Sequence, residues 1–446
     1  MSFLKGAMLT GAVISSWVDN ARTKKDVKRI YQQTSEANFV SRGVLALPHV
    51  NKLQLLLTTK DESDNDVYVY ESNSTTPAVD FIWGEAQGPE NTIISGGKPD
   101  ERVRSLMPFV HKSQQEGLPI FVLHSSNRDL KAMIEEHSID CEFLSQTELY
   151  YDGFRALPVE DMSYLLFETM PENTSPSAES VLRALLEVVL CKEGKITFHN
   201  LAAFPLVRLM DTLNTLKADG EITVDEYDDI SRDYMAGSSE IDGVRNFLSK
   251  LNRQADSIFG KPRAKSGNIK KMLNTKGVVA IDVGLGSNEL VISFAINQIK
   301  LLQAAGKDFA IALDGLALSK FPSIYDILRG RTYAICHNDF VSSLYGGEKK
   351  GEDMFTEIAG DVSAMILFNH KSGTSCQKWS EHVGKYHKIR IKMNISQTKN
   401  FLTGGNTRGI SVDETDEPRV RAETLSMLPN AMACIYKKDG ILFAEV

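Results

Sequence analysis

The chain has 446 residues, with 50 Lys and Arg against 58 Asp and Glu, 42% apolar and 24% charged residues, and a formal net charge of -8. That length allows two or three domains, and the composition is ordinary for a globular chain, which excludes wholesale disorder, a collagen-like fibre and a small disulfide scaffold. The acidic balance excludes a protein that coats nucleic acid by bulk charge, so any such contact has to come from a local basic patch.

The five cysteines, Cys141, Cys191, Cys336, Cys376 and Cys434, form no CxxC pair and make an odd total. This is the usage of a reducing compartment, with each cysteine expected as a small buried hydrophobe. The apolar stretch at residues 7–18 is shorter than the roughly 20 residues that span a bilayer. No small-residue cleavage site precedes the charged run that follows it. The reading is a cytoplasmic chain, held at the membrane, if at all, through its N-terminal end or its partners.

In chain order, residues 1–90 read as a β-rich N-terminal region, with strands at 52–59 and 67–71 around a polar turn. Residues 92–95 form a short apolar strand ending in Gly96 and Gly97. A helical pattern over 100–116 and a buried strand at 119–124 follow, making a β-loop-α-β unit that belongs to a parallel sheet. From 175 to 260 the pattern turns helical, with helices predicted at 178–191, 206–216, 224–234 and 241–258. A basic linker at 261–276 leads back into alternation: strand 277–283, helix 288–305, strand 309–314, helix 323–329, strand 332–337, helix 354–362 and strand 363–368. The tail closes with a hairpin at 431–436 and 441–446. The domains are therefore expected at 1–90 (β-rich), 91–172 (first part of an α/β domain), 173–260 (all-α insert) and 261–446 (second part of the α/β domain).

The segment GGKPDERV at 96–103 sits after a buried strand and before a helix, where a phosphate-binding loop stands. Such a loop needs glycines that let N–H groups wrap the phosphates, a Lys, and a Ser or Thr hydroxyl for magnesium. Gly96, Gly97, Lys98 and Arg102 are the candidate nucleotide-binding residues. Neither register of the motif supplies the hydroxyl, and Glu101 brings a negative charge to the loop, so a plain Gly-rich turn is the alternative reading. The expectation is a loop filled by Glu101 or Arg102. Further on, FAIALDGLAL at 309–318 ends an apolar strand in Asp314, where a magnesium-holding Asp stands, while Gly315 occupies the place of the Glu that polarises water. One strand later Asn338 offers an amide where the γ-phosphate sensor stands, usually a Gln. Arg329 and Arg331 flank that strand and read either as phosphate contacts for a neighbouring subunit or as helix-end charges.

These elements resemble the RecA-like P-loop ATPases of the FtsK/HerA superfamily, and within it the coupling proteins of conjugative type IV secretion. The residues that carry the resemblance are GVVAIDVGLGSNELVISFAINQI at 277–299, FAIALDGLALSKFPSIYDILRGRTYAICHNDF at 309–340, and NHKSGTSCQKWSEHVG within 364–384. It covers roughly residues 90–446, and the first loop matches by position only. The fold implied is a parallel-rich α/β sheet flanked by helices, with an all-α inserted domain and a β-rich N-terminal region. The resemblance implies homo- or hetero-oligomers of RecA-like subunits, a place in secretion or transfer machinery, and ATP with Mg2+ as the ligand in intact members. Here three catalytic elements, the Lys-Ser/Thr pair, the Glu and the Gln, are altered together. Loss of the base alone costs about 10² to 10⁴ in rate. The resulting expectation is a degenerate ATPase acting as a structural or recruiting component in DNA or protein transfer, with no cofactor assigned. An active DNA-translocating ATPase and a scaffold that binds no nucleotide are the alternatives.

The basic linker contributes Lys261, Arg263, Lys265, Lys270 and Lys271 as candidate DNA contacts, suited to backbone phosphates because the segment has no aromatics. A solvated linker is the competing reading. The run DGEITVDE at 219–226 imitates half of an EF-hand, but Thr215 and Lys217 fall on ligand positions, so Thr223 is expected as a helix cap and no metal is predicted. His382 and His387 have no metal-ligand spacing either.

Overall fold

The computed structural model describes residues 28–34, 38, 54–60, 66–71, 89–137, 139–269, 277–284, 288–321, 323–345, 350–398, 405–437 and 440–446. The stretch at 7–18, the turn at 61–65, Lys270 and Lys271 lie outside the described residues. The chain divides into two compact units: one gathers the described residues of Met1–Glu85 with Ser95–Gly97 and Ser363–Val446, and the other holds Ala86–Ile94 and Lys98–Val362.

The N-terminal hairpin pairs β1 (Gln54–Lys60) with β2 (Asp66–Glu71) antiparallel, as their runs of Leu, Val and Tyr predict. Next come β3 (Thr92–Ser95), α1 (Pro99–Gln115) and β4 (Ile120–His124). Pro99 opens α1 where its missing N–H costs nothing, and Asp100 and Glu101 complement the helix dipole in the first turn. The sequence reading leaves out α2 (Arg128–Glu136), β5 (Cys141–Leu144), β6 (Tyr150–Tyr151) and α3 (Val159–Thr169). The helical run is α4 (Ser177–Glu193), α5 (Phe198–Ala203), α6 (Leu209–Ala218), α7 (Val224–Ala236) and α8 (Ile241–Phe259). Thr223 caps α7 in a capping box with Glu226, so the EF-hand-like run is a helix start. Then follow β7 (Ser266–Gly267), β8 (Val278–Asp282), α9 (Glu289–Ala304), β9 (Ala310–Asp314), α10 (Ile324–Leu328), β10 (Thr332–His337), α11 (Phe340–Leu344) and α12 (Lys350–Asp361).

In this larger unit the strands lie side by side in the order β5, β8, β4, β9, β10, each neighbouring pair parallel, with β3 next beyond β10. A parallel sheet covered by helices must be apolar on both faces, and β4, β8 and β9 are buried along almost their whole length. Consecutive β3 and β4 are separated in space by β10 and β9, so the strand order reverses here, which is where ligands bind in such sheets. The helical run joins the sheet through an aromatic cluster. Phe294 of α9 meets Tyr151, Phe154 and Phe198 edge-on or tilted at 5.1–6.3 Å between rings, and Phe259 adds a contact on Tyr151 at 5.2 Å.

The smaller unit continues with β11 (Ala364–Leu367), α13 (Gly373–Val383), the long hairpin β12 (Lys385–Thr398) with β13 (Gly405–Pro418), α14 (Ala422–Ser426), β14 (Met432–Lys437) and β15 (Gly440–Glu445). β14 pairs antiparallel with both β11 and β15, which forms the expected terminal hairpin. Trp379 of α13 is fully buried, and Asn38 clamps both the N–H and the carbonyl of Ile389 at 2.8 Å.

Among the described residues no helix is long and apolar enough to cross a membrane, and no group of three or more His, Cys, Asp or Glu stands ready for a metal. Cys336, Cys376 and Cys434 are buried as expected, Cys141 partly so, while Cys191 is exposed.

Candidate functional site

The register of the parallel strands sets a row of polar residues at their C-terminal ends. His124 of β4 lies opposite Asp282 of β8 on one side and Asp314 of β9 on the other, and Asp314 lies opposite Cys336 of β10. An apolar strand that ends in a polar residue places that residue at the mouth of the sheet, so four such strands build one polar edge.

Asp314 is only 2% exposed. Its carboxylate accepts a 2.6 Å hydrogen bond from Asn127 Nδ2, and its backbone oxygen accepts from Ser125 N. Burial pushes its carboxyl above the ordinary carboxylate range, opposed by the Asn127 hydrogen bond and the positive charge of Arg102. Asn127 has a second duty: its Oδ1 accepts from Asp129 N and Leu130 N, which caps α2. Next along the row, Asp282 Oδ1 accepts from Ser126 N at 2.9 Å and Gly284 N at 2.8 Å, with Ser126 Oγ at 3.1 Å. Ser126 holds a positive φ of 48 to reach it. His124 Nδ1 accepts from Asn127 N at 3.2 Å, which leaves its proton on Nε2, and burial pushes the imidazole below its ordinary value. The loop His124-Ser125-Ser126-Asn127 therefore binds its two flanking carboxylates with its own donors.

Gly315, which takes the place of the catalytic Glu, has a positive φ of 73, and a Cβ there would stand 3.4 Å from Ser125 Cβ. An L-residue is strained at that position, so the backbone itself disfavours a carboxylate base. Asn338 is exposed in a turn after β10, beside Asp339, which caps α11. Arg329 and Arg331 are ion-paired, with Glu357 at 2.6 Å and Asp308 at 3.0 Å respectively.

The glycine segment is read in two parts. Within the smaller unit, Gly97 N donates to Asn369 O at 3.0 Å, and Ser95 Oγ lies 2.8 Å from His370 Nε2, whose Nδ1 lies 2.7 Å from Phe368 O. Gly96 has a φ of 85, and a Cβ there would sit 2.7 Å from Asn369 O and 2.8 Å from the His370 ring. The glycine gives close backbone approach to protein. Within the larger unit, Lys98 N donates to the Glu101 carboxylate at 2.7 Å, and both Glu101 and Arg102 are buried, at 4% and 7% exposure. The Lys98 side chain is exposed. Arg102 lies close enough to bias Asp314, Cys336 and His337 by its charge.

Of the basic linker, Lys261 and Lys265 are exposed. Arg263 is engaged instead: its guanidinium donates to the carbonyls of Ser145, Gln146 and Glu148, each at 2.8 Å. His382 is packed against Trp379 and Tyr436, and His387 pairs with Asp416 on the long hairpin. Residues of this site that sequence reasoning missed are His124, Ser126, Asn127 and Asp282. The usable signal was the run HSSN directly after an apolar strand of a parallel sheet.

No family model matches the sequence, and no curated protein matches it. Solved structures do. The bacterial conjugative coupling protein TrwBdeltaN70 in its unbound monoclinic form aligns with a TM-score of 0.52 at 13% identity, over 84% of this chain and 92% of that one. Its trigonal form in complex with sulphate gives 0.54 at 12% identity, over 84% and 91%. The plasmid coupling protein TrwB in complex with ADP and Mg2+ gives 0.51 at 13% identity, over 84% and 92%. The chain thus carries the RecA-like α/β fold of a P-loop NTPase, built as in the coupling protein TrwB.

Proposed function

We propose that the chain is a RecA-like component of a DNA- or protein-transfer machinery that keeps the fold of a coupling ATPase and works as a structural or recruiting subunit without turning over ATP. The observation that carries this reading is the use of the loop's own donors. A phosphate loop binds through backbone N–H groups left open at a helix N-terminus. Here the N–H of Gly97 is taken by Asn369 O and that of Lys98 by the Glu101 carboxylate. Asp314 is buried against Asn127, and the position of the base is a left-handed glycine. TrwB has been solved with ADP and Mg2+ on this fold, and the engaged donors of Gly97 and Lys98 in this chain support a subunit that does not hold the nucleotide.

In this reading residues 91–172 and 261–446 form the RecA-like domain, split by the all-α insert 173–260. The domain oligomerises through RecA-like faces, and Lys261 and Lys265, with Lys270 and Lys271, present phosphate contacts to DNA. Cytoplasmic placement at the membrane through partners goes with that role. The test is steady-state ATP hydrolysis by the purified chain with and without DNA. The reading expects no turnover above background in either condition. Turnover that Asp314→Ala abolishes would show an active DNA-translocating ATPase instead.

A further inference from the structure

Away from the strand ends, α1 and α2 bring two imidazoles together. His111 stands in the last turns of α1 and His137 is the C-terminal cap of α2. His111 Nε2 and His137 Nδ1 are 3.3 Å apart, the ring centroids 5.1 Å, and the ring planes 76°. Both residues belong to the larger unit, and His137 is exposed while His111 is half-buried. As a plain hydrogen bond the pair leaves one nitrogen donating and the other accepting. The same two nitrogens also meet the requirement of a metal. Two imidazoles bound to Zn2+ at about 2.0–2.1 Å in a tetrahedral arrangement hold their ligating nitrogens roughly 3.3–3.4 Å apart. The separation of the two nitrogens therefore suits a shared ion as well as a shared proton.

We propose that His111 and His137 form a two-histidine site for a borderline divalent ion of the Zn2+, Ni2+ and Cu2+ class, open to solvent. Imidazole selects this class over Mg2+ and Ca2+, which take oxygen ligands. With no third His, Cys, Asp or Glu grouped there among the described residues, water completes the shell, so the site is an accessible, exchangeable one. The ion would tie α1, which begins at the glycine segment, to α2, whose cap Asn127 holds Asp314.

The test is calorimetric titration of the full chain with ZnCl2 in a weakly coordinating buffer, together with thermal unfolding with and without the ion. One equivalent bound by the wild type, absent in both His111→Gln and His137→Ala, with a rise in Tm confined to the wild type, is the expected result. No binding by the wild type at millimolar Zn2+, or one undiminished equivalent in both variants, would overturn it. An NMR titration of the wild type with Ni2+ answers independently of how the variants fold: broadening of the C2–H signals of His111 and His137 before those of the other histidines supports the site, and broadening elsewhere first refutes it.

Discussion

Asn127 is the residue whose removal reports most sharply on the polar edge of the sheet, because one side chain serves two elements. Its Oδ1 caps α2 through Asp129 N and Leu130 N, and its Nδ2 donates to the buried Asp314 at 2.6 Å. An N-cap of this kind contributes about 1 kcal/mol, within a range of about 0.5–2. A hydrogen bond to a charged group contributes about 1.5–3 kcal/mol. Asn127→Ser keeps a capping oxygen and loses the donor to Asp314, so it should cost about 1.5–3 kcal/mol. Asn127→Ala loses both and should cost about 2–5 kcal/mol. Asn127→Asp keeps the cap but sets a second carboxylate against Asp314, and should be the most harmful of the three. Urea unfolding at neutral pH measures the series, with an unchanged slope showing that the shifts are changes of stability. If Asn127→Ser falls within about 0.5 kcal/mol of the wild type, Asp314 does not depend on Asn127 and the account of this edge fails.

Asp314 gives a second prediction, through pH. Its carboxyl is raised in the folded chain, so the folded state binds the proton more tightly than the unfolded one. Stability from this group is greatest below the ordinary Asp value and declines as pH rises through the raised folded value. Asp314→Asn, which retains an acceptor for Asn127, should therefore be at least as stable as the wild type at pH 7 and lose that advantage near pH 4, as read from Tm across pH. His124, lowered by burial, works the other way: its contribution is present above its ordinary value near 6.5 and is lost as pH falls through the lower folded value. His124→Gln should flatten the fall in Tm between pH 7 and pH 5. Phe294 is fully buried among three aromatic neighbours and against Gly153. Phe294→Ala should cost about 3–5 kcal/mol in denaturant unfolding.

Much of the sheet was legible because a buried parallel strand is a short apolar run with a sharp end. Residues 332–337 were read with the observed bounds, and 277–283 and 309–314 within one residue at either end. Four helices of the run at 175–260 were equally plain, since 3.6-residue periodicity persists over several turns, whereas the six residues of α5 are too few to show it. α2 was missed because it is short and its cap, Asn127, follows two serines that read as loop. β12 was missed for another reason: Ile389, Ile391, Met393 and Ile395 alternate with period two, but lysines and an arginine interleave with them. Asp314 was visible as the polar end of an apolar strand. Its neighbours along the edge, His124, Asn127 and Asp282, depended on strand order, which brings residues over 150 positions apart into one row. Arg263 shows the converse, since a cation that looks free in sequence is held by three carbonyls of a distant loop.

The N–H groups of Gly97 and Lys98 are held by Asn369 O and the Glu101 carboxylate, and equilibrium titration with a fluorescent ATP analogue in Mg2+ shows whether they stay so held. The expected result is no saturable binding up to millimolar analogue, and no difference between the wild type and Lys98→Ala. Tight, saturable binding that Lys98→Ala removes would mean that the segment opens to hold phosphate, and would contradict it.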